Sequence, residues 1–152
     1  MKRRATRSKP PTLSGPELRR LAWFRYQLRR YLRFSERAAR AARLTPQQYQ
    51  LLLGVAGHTG RGWATVSELA EFLQQRHNGV VGLVERAARR RLVRKKPGAR
   101  DRRFVRVLLT RHGHKALRDL ARQHLEELGR VRSQFLRALQ VRSRAVYGAG
   151  RA

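Results

Sequence analysis

The stretch Arg86–Arg106, RAARRRLVRKKPGARDRRFVR, decides the fold. Of its 21 residues 11 are Lys or Arg, and Asp101 is the only acid among them. It opens on helix formers, turns at Pro97-Gly98 and closes on alternating apolar residues, so a helix running directly into a two-stranded hairpin is expected. That pair suits a DNA duplex. The major groove admits the helix, and a basic hairpin beside it reaches the backbone or the minor groove.

Upstream, Thr65-Val66-Ser67-Glu68 is a capping box that opens a short helix with Val66, Leu69, Ala70 and Leu73 inside. Gln74 to Gly79 holds a turn and the start of the next helix. The inner face of that helix is expected to be Val80, Val81, Val84, Ala87 and Ala88, up to about Arg91. Thr65 to Arg91 therefore reads as a helix-turn-helix, whose second helix presents its N-terminal residues to base edges. Those residues are Gln75, Arg76, His77 and Asn78; Gln and Asn pair with adenine and Arg with guanine. Gly79 and Gly82 lack side chains and allow close approach to the duplex.

Further out, Ser14 can cap a helix with Pro16 in its first turn, and Leu18, Leu21, Leu28, Leu32, Ala39 and Ala42 carry a heptad-like stripe to about Arg43. Trp23, Phe24, Tyr31 and Phe34 lie beside the stripe. A helix apolar on more than one face needs more than one neighbour, here its own domain and a partner subunit. Thr45-Pro46-Gln47-Gln48 starts another helix, with Tyr49, Leu52, Leu53 and Ala56 inside and Gly57, Gly60 and Gly62 ending it. Strands are expected at Leu92–Lys96 and Phe104–Leu109, joined through Pro97 to Asp101. Thr110 then caps a helical pattern to about Val146, with Gly129 as a candidate break into two helices.

The expected architecture is mainly α with a small β-hairpin wing: a basic disordered tail at 1–13, a dimerisation helix at 14–43, a winged helix-turn-helix region at 44–110, C-terminal dimerisation helices at 111–147 and a tail at 148–152. Apolar content of 41% supports a folded chain. The net charge of +28 destabilises the compact state by self-repulsion unless a polyanion neutralises it. Of the 37 basic residues 32 are Arg, which suits bidentate contact to phosphate and guanine and also fits a genome rich in Arg codons. The absence of cysteine excludes a disulfide scaffold, a thiolate metal site and a thiol sensor. No apolar stretch approaches the roughly 20 residues that span a bilayer, and no apolar segment follows the basic N-terminus. No membrane partner is expected, and the expected location is cytoplasmic, associated with the nucleoid.

The spaced set Leu44-Thr45-Pro46-Gln47-Gln48-Tyr49, Thr65-Val66-Ser67-Glu68-Leu69-Ala70, Leu83-Val84-Glu85-Arg86, Leu92-Val93, Asp101-Arg102-Arg103 and Leu109-Thr110 with Gly113 resembles the MarR-type family of bacterial winged-helix regulators, over about Leu18 to Leu139. The resemblance implies a homodimer held by the first and last helices, an operator with two-fold symmetry, and often an effector pocket between the dimer helices and the DNA lobe. It places Gln75 to Gly79 at the start of the recognition helix, Arg86 on phosphate further along it, and Lys95, Lys96, Arg100, Asp101, Arg102 and Arg103 in the wing, with Asp101 orienting a neighbouring Arg. Four features depart from the family pattern: Arg91 at a helix end where Gly is usual, Val81 and Gly82 in place of more polar residues, Ala87 in place of a larger one, and the size of the charge.

Trp23, Phe24, Tyr31, Phe34 and Tyr49 are the candidate lining of a small aromatic effector pocket, although aromatics at helical spacing more often form core. His112 and His114 are poorly spaced for one metal, and His58 and His124 lie far off, so neither metal nor cofactor is expected. Nine acids, no cysteine and no Ser/His/Asp set leave no catalytic constellation, and the chain is not read as an enzyme. An RNA- or ribosome-associated basic protein is a third class of function, although nothing in the sequence resembles an RNA-binding sheet; two functions lead. One is a homodimeric transcriptional repressor on a pseudo-palindromic operator, releasable by an aromatic effector. The alternative is a largely nonspecific nucleoid or architectural DNA-binding protein of the same fold, which the charge and the thin polar reading face support.

Overall fold

The computed structural model describes residues 13–58, 60–98 and 104–139. In chain order these form α1 (Gly15–Ala41), α2 (Pro46–Leu53), a π-helical turn (Gly54–His58), β1 (Trp63–Thr65), α3 (Val66–Leu73), α4 (His77–Arg89), β2 (Val93–Pro97), β3 (Val105–Leu109) and α5 (Arg111–Leu139). Contacts gather Tyr31–Gly129 into one unit; the described part of a second comprises residues 13–30 and 130–139. The unit boundaries thus fall inside α1 and α5 rather than at their ends.

Both expected capping boxes form. Thr45 accepts from the Gln48 amide at 3.1 Å while Gln48 accepts from the Thr45 amide, and Thr65 and Glu68 repeat the exchange. The Thr65 amide, and after it the Arg61 guanidinium at 2.6 Å, hold the Glu68 carboxyl below its ordinary range. Within the larger unit α2, α3 and α4 pack with a three-stranded antiparallel sheet of order β1-β3-β2. Leu51, Leu52, Val55, Leu69, Val80, Val84, Leu92, Val107 and Leu120 are fully buried there. Each contributes about 1.5–3 kcal/mol by leaving water. Pro97 sits on the edge strand β2, where its missing N–H is tolerated.

Three helices end alike. Leu44 N donates to Ala39 O and Arg43 N to Arg40 O; Gln75 and Gln74 repeat the pattern on Ala70 and Glu71, and Leu92 and Arg91 on Ala87 and Ala88. These are Schellman closures, and the left-handed position is taken each time by a residue with a side chain: Arg43 at φ 57°, Gln74 at 51° and Arg91 at 55°. The third closure is the one expected from Arg91 standing where glycine is usual. Arg90, beside it, donates at 2.6 Å to both Gln48 Oε1 and Arg43 O, tying the end of α4 to the end of α1 and the start of α2.

The same junction fixes α5. Thr110 N donates to Leu92 O, its hydroxyl donates to Arg91 O at 2.5 Å, and the Gly113 amide donates to that hydroxyl at 3.0 Å. A Cβ on Gly113 would lie 2.0 Å from Leu92 O, so no side chain fits there.

Four expectations change. β1, three residues long, was not foreseen; it pairs Trp63 with Leu108, Ala64 with Val107 and Thr65 with Arg106. The segment after α2 passes through the π turn before the glycines end it. Gly129 breaks nothing: α5 runs through it to Leu139, because one helical glycine costs only about 1 kcal/mol in a helix of 29 residues. Val81 is not on the inner face of α4 but 38% exposed, since Val80, Val84 and Ala87 define the buried stripe. The expected tails and the hairpin tip at 99–103 lie outside the described residues.

Replacing Arg91 with glycine relieves about 1–2 kcal/mol of left-handed strain and costs about 0.5–1 kcal/mol in unfolded-chain entropy. The expected result for Arg91→Gly is a rise in stability of about 1 kcal/mol in urea denaturation with an unchanged m value. A loss of stability would show that the Arg91 side chain contributes more than its backbone costs.

Candidate nucleic-acid interface

The start of α4 is built as a presenting end. Arg76 occupies the N-cap in extended conformation (φ −66°, ψ 141°) and makes no side-chain cap bond. Its carbonyl accepts from the Gly79 and Val80 amides at 3.0 and 3.2 Å, which aims the first turn outward. Arg76, His77, Asn78 and Gly79 are all exposed and Gln75 is half-buried. A helix N-terminus without a capping side chain keeps amide donors and a positive dipole end toward an incoming phosphate. Nothing lies within 4 Å of a Cβ built on Gly79, so the backbone there can approach a duplex closely. Over Gly82 the Arg86 guanidinium already lies, 3.2 Å from such a Cβ.

The hairpin sorts its charges by register. Val93 faces Leu109, Arg94 faces Leu108, Lys95 faces Val107 and Lys96 faces Arg106. Side chains alternate along a strand, so Lys95 shares the inner face with Val93, Val107 and Leu109, and Arg94, Lys96 and Arg106 share the outer one. Lys95 reaches across to Glu85 of α4, with Nζ 2.5 Å from the carboxylate, and so neutralises the one acid on the exposed side of that helix. Lys95 and Lys96, expected together in the wing, therefore serve different faces. Arg100, Asp101, Arg102 and Arg103 lie outside the described residues.

Three residues of the outer sheet face escaped the sequence reading. Arg61 lies over the Trp63 ring at 3.8 Å and Arg106 at 4.6 Å, and Arg61 also grips Glu68 through both carboxylate oxygens. Trp63 sits diagonally from Arg106 across β1 and β3, so the signal was a Trp flanked by arginine, unreadable until β1 was known. The basic run thus divides: Arg90 and Arg91 close helix ends, Lys95 and Arg106 hold neighbours, and Arg86, Arg89, Arg94 and Lys96 are exposed.

The aromatic candidates also divide. Tyr31, Phe34 and Tyr49 pack around His124, with centroids 6.2, 5.3 and 4.4 Å from its ring. His124 is buried; Nδ1 lies 2.8 Å from Leu120 O and Nε2 2.9 Å from Ser35 Oγ. A carbonyl only accepts, so Nδ1 donates to Leu120 O. Trp23 and Phe24 belong to the other unit, where Trp23 stacks on Tyr26 and Phe24 meets Phe135 edge-on at 6.0 Å. Among the described residues no cluster of His, Asp and Glu could hold a metal, and no helix is long and apolar enough to cross a membrane.

A helix-turn-helix with an exposed second helix and a basic two-stranded flap beside it defines a winged-helix DNA-binding regulator. The MarR family model matches residues 44–103, so that stretch is a MarR-type winged-helix region. Among solved structures it is similar to AbsC, a MarR family transcriptional regulator from Streptomyces coelicolor, at 26% identity and TM-score 0.63, covering 85% of this chain and 84% of that one. It is also similar to a MarR family protein from Bacillus stearothermophilus (20% identity, TM-score 0.67, 79% and 82% covered). A MepR variant from Staphylococcus aureus bound to an oligodeoxyribonucleotide is similar too (21% identity, TM-score 0.61, 81% and 85% covered). No curated protein matches the sequence.

The buried ring cluster has a readable pH dependence. Burial, and next the charge interaction with Tyr31, push the Tyr49 hydroxyl up from 10 to about 12. The folded state resists ionising Tyr49, so the stability it supplies is present below pH 10 and is lost as pH rises toward 12. Tyr49→Phe should flatten the fall in urea midpoint across that window; an equally steep fall in the variant would assign alkaline unfolding to other groups.

Proposed function

We propose that this protein is a homodimeric transcriptional repressor that binds a pseudo-palindromic operator, each subunit placing α4 in a major groove and its hairpin alongside. The observation that carries this reading is the uncapped, exposed start of α4, with Arg76, His77 and Asn78 leading and an exposed basic flank behind. Two recognition helices about 34 Å apart would enter successive major grooves, and occupancy of a promoter would exclude polymerase. Pairing of subunits is supported by exposed apolar residues on α1 and α5, among them Leu18, Leu21, Trp23, Leu128 and Leu136.

An aromatic effector would enter this reading by displacing the His124 ring, which Tyr31, Phe34 and Tyr49 already enclose. Addition of an aromatic carboxylate to the protein–operator complex tests that step: dissociation supports release, and persistence argues for occupancy independent of such ligands.

The net charge of +28 favours the competing reading, a nonspecific architectural protein. Selection from a random duplex pool followed by competition separates the two. A repressor should prefer its selected site over random DNA by about 10³ or more at physiological salt, and a ratio near unity supports the architectural role. Asn78→Ala should lower that ratio while leaving binding to random duplex nearly unchanged; equal losses on both would remove Asn78 from base reading.

A further inference from the structure

The middle of α4 carries no free hydrogen-bonding side chain on its exposed side. Gly79, Val81 and Gly82 have none to offer, and Glu85 is held by Lys95. Polar reading is therefore confined to Gln75–Asn78 at one end and to Arg86 and Arg89 at the other. Between α4, the start of α3 and the hairpin lies an open slot of about 270 Å³, its apolar lining Val66, Val81, Val84, Phe104 and Val105 and its polar lining Thr65, Ser67, His77 and the Glu85–Lys95 pair. Phe104 is 59% exposed and Val105 39%, so this apolar surface is offered outward beside a helix otherwise flanked by cations. A bare carboxylate at Glu85 would repel a phosphate backbone; the lysine contact leaves the slot electrically quiet.

We propose that this slot reads the C5 methyl of thymine, with Val81 as the specificity-determining contact and Phe104 as its outer wall. Thymine alone among the four bases presents a methyl group in the major groove, and apolar contact is the way a protein selects it. The duplex is favoured as occupant because the slot opens beside the presenting end of α4 and within its basic surround. The inference rests on the sequence-preferring duplex binding proposed above, and it names the base that the middle of the helix selects.

Sites selected from a random pool are resynthesised with deoxyuridine replacing thymine, one half-site position at a time, and affinities are measured for the wild type and for Val81→Ser. Val81 is partly exposed, so the variant keeps the buried stripe of α4. Loss of a contacted methyl should weaken wild-type binding about fourfold, and about 15-fold when a symmetric site loses one in each half. In Val81→Ser the thymine and deoxyuridine sites should bind alike. A wild type that binds both equally, a Val81→Ser variant that keeps the wild-type ratio, or a selected half-site without thymine overturns the proposal while the repressor reading stands. Absence of any preferred site removes both.

Discussion

The winged helix-turn-helix of this protein depends on one close approach, that of the Leu92 carbonyl to the backbone of Gly113. Leu92 O receives the Thr110 amide and lies where a Gly113 side chain would begin. Leu92 also completes the left-handed closure of α4 through Ala87 O, and the Thr110 hydroxyl spans Arg91 O and the Gly113 amide. Three elements therefore meet within a few backbone bonds: the end of α4, the entry to β2 and the start of α5. Helix and hairpin are joined there, and the Lys95–Glu85 contact links them a second time. The junction explains how a left-handed arginine persists at position 91. Backbone strain of this kind survives where the surroundings over-determine the conformation, and here three hydrogen bonds do so.

A second constraint is charge. At +28 the compact state carries strong self-repulsion, and some of the arginines are used in structural contacts rather than left as idle cations. Arg90 satisfies the Gln48 amide oxygen and the Arg43 carbonyl, Arg61 pairs with Glu68 and stacks on Trp63, and Arg106 takes the same ring. The planar guanidinium suits each of these roles, and a lysine would serve none as well. The few carboxylates are placed with similar economy: Glu68 completes a capping box and Glu85 holds Lys95. Exposed cations left over, such as Arg86, Arg89, Arg94 and Lys96, make a surface of the kind that binds any duplex by releasing counterions.

What the sequence made legible follows from how local each signal is. The capping boxes at Thr45 and Thr65 were readable because both partners lie within four residues, and the exposed start of α4 followed from the second box and the turn after it. The αL arginine was readable only through the family pattern. Trp63–Thr65 was missed because a three-residue strand has too little alternation to detect, and because Thr65 was already spoken for as a helix cap. Val81 differs from the expectation because an inner face spaced 80, 81, 84, 87 and 88 is wider than α4 buries; which valine turns outward is decided by the elements packed on α4, not by its own sequence. The five aromatics were grouped by type, yet packing sends Trp23 and Phe24 to one unit and the other three to His124, a residue about 75 or more positions away from each of them in sequence.

Affinity and selectivity are drawn from different parts of such an interface. Phosphate contacts scale with the number of exposed cations and carry no sequence information, whereas base contacts depend on a few side chains held at one depth in the groove. In the reading proposed for this protein the first set would be large and the second small: a handful of polar residues at the start of α4, two arginines toward its end and an apolar slot between. A rise in salt weakens the first set on every duplex alike and leaves the ratio between sites to the second. Discrimination therefore becomes visible only at ionic strengths high enough to suppress the common electrostatic background. The rigidity of the junction at Leu92, Thr110 and Gly113 matters for the same reason, since a reading surface of so few groups loses its selectivity if helix and hairpin drift apart.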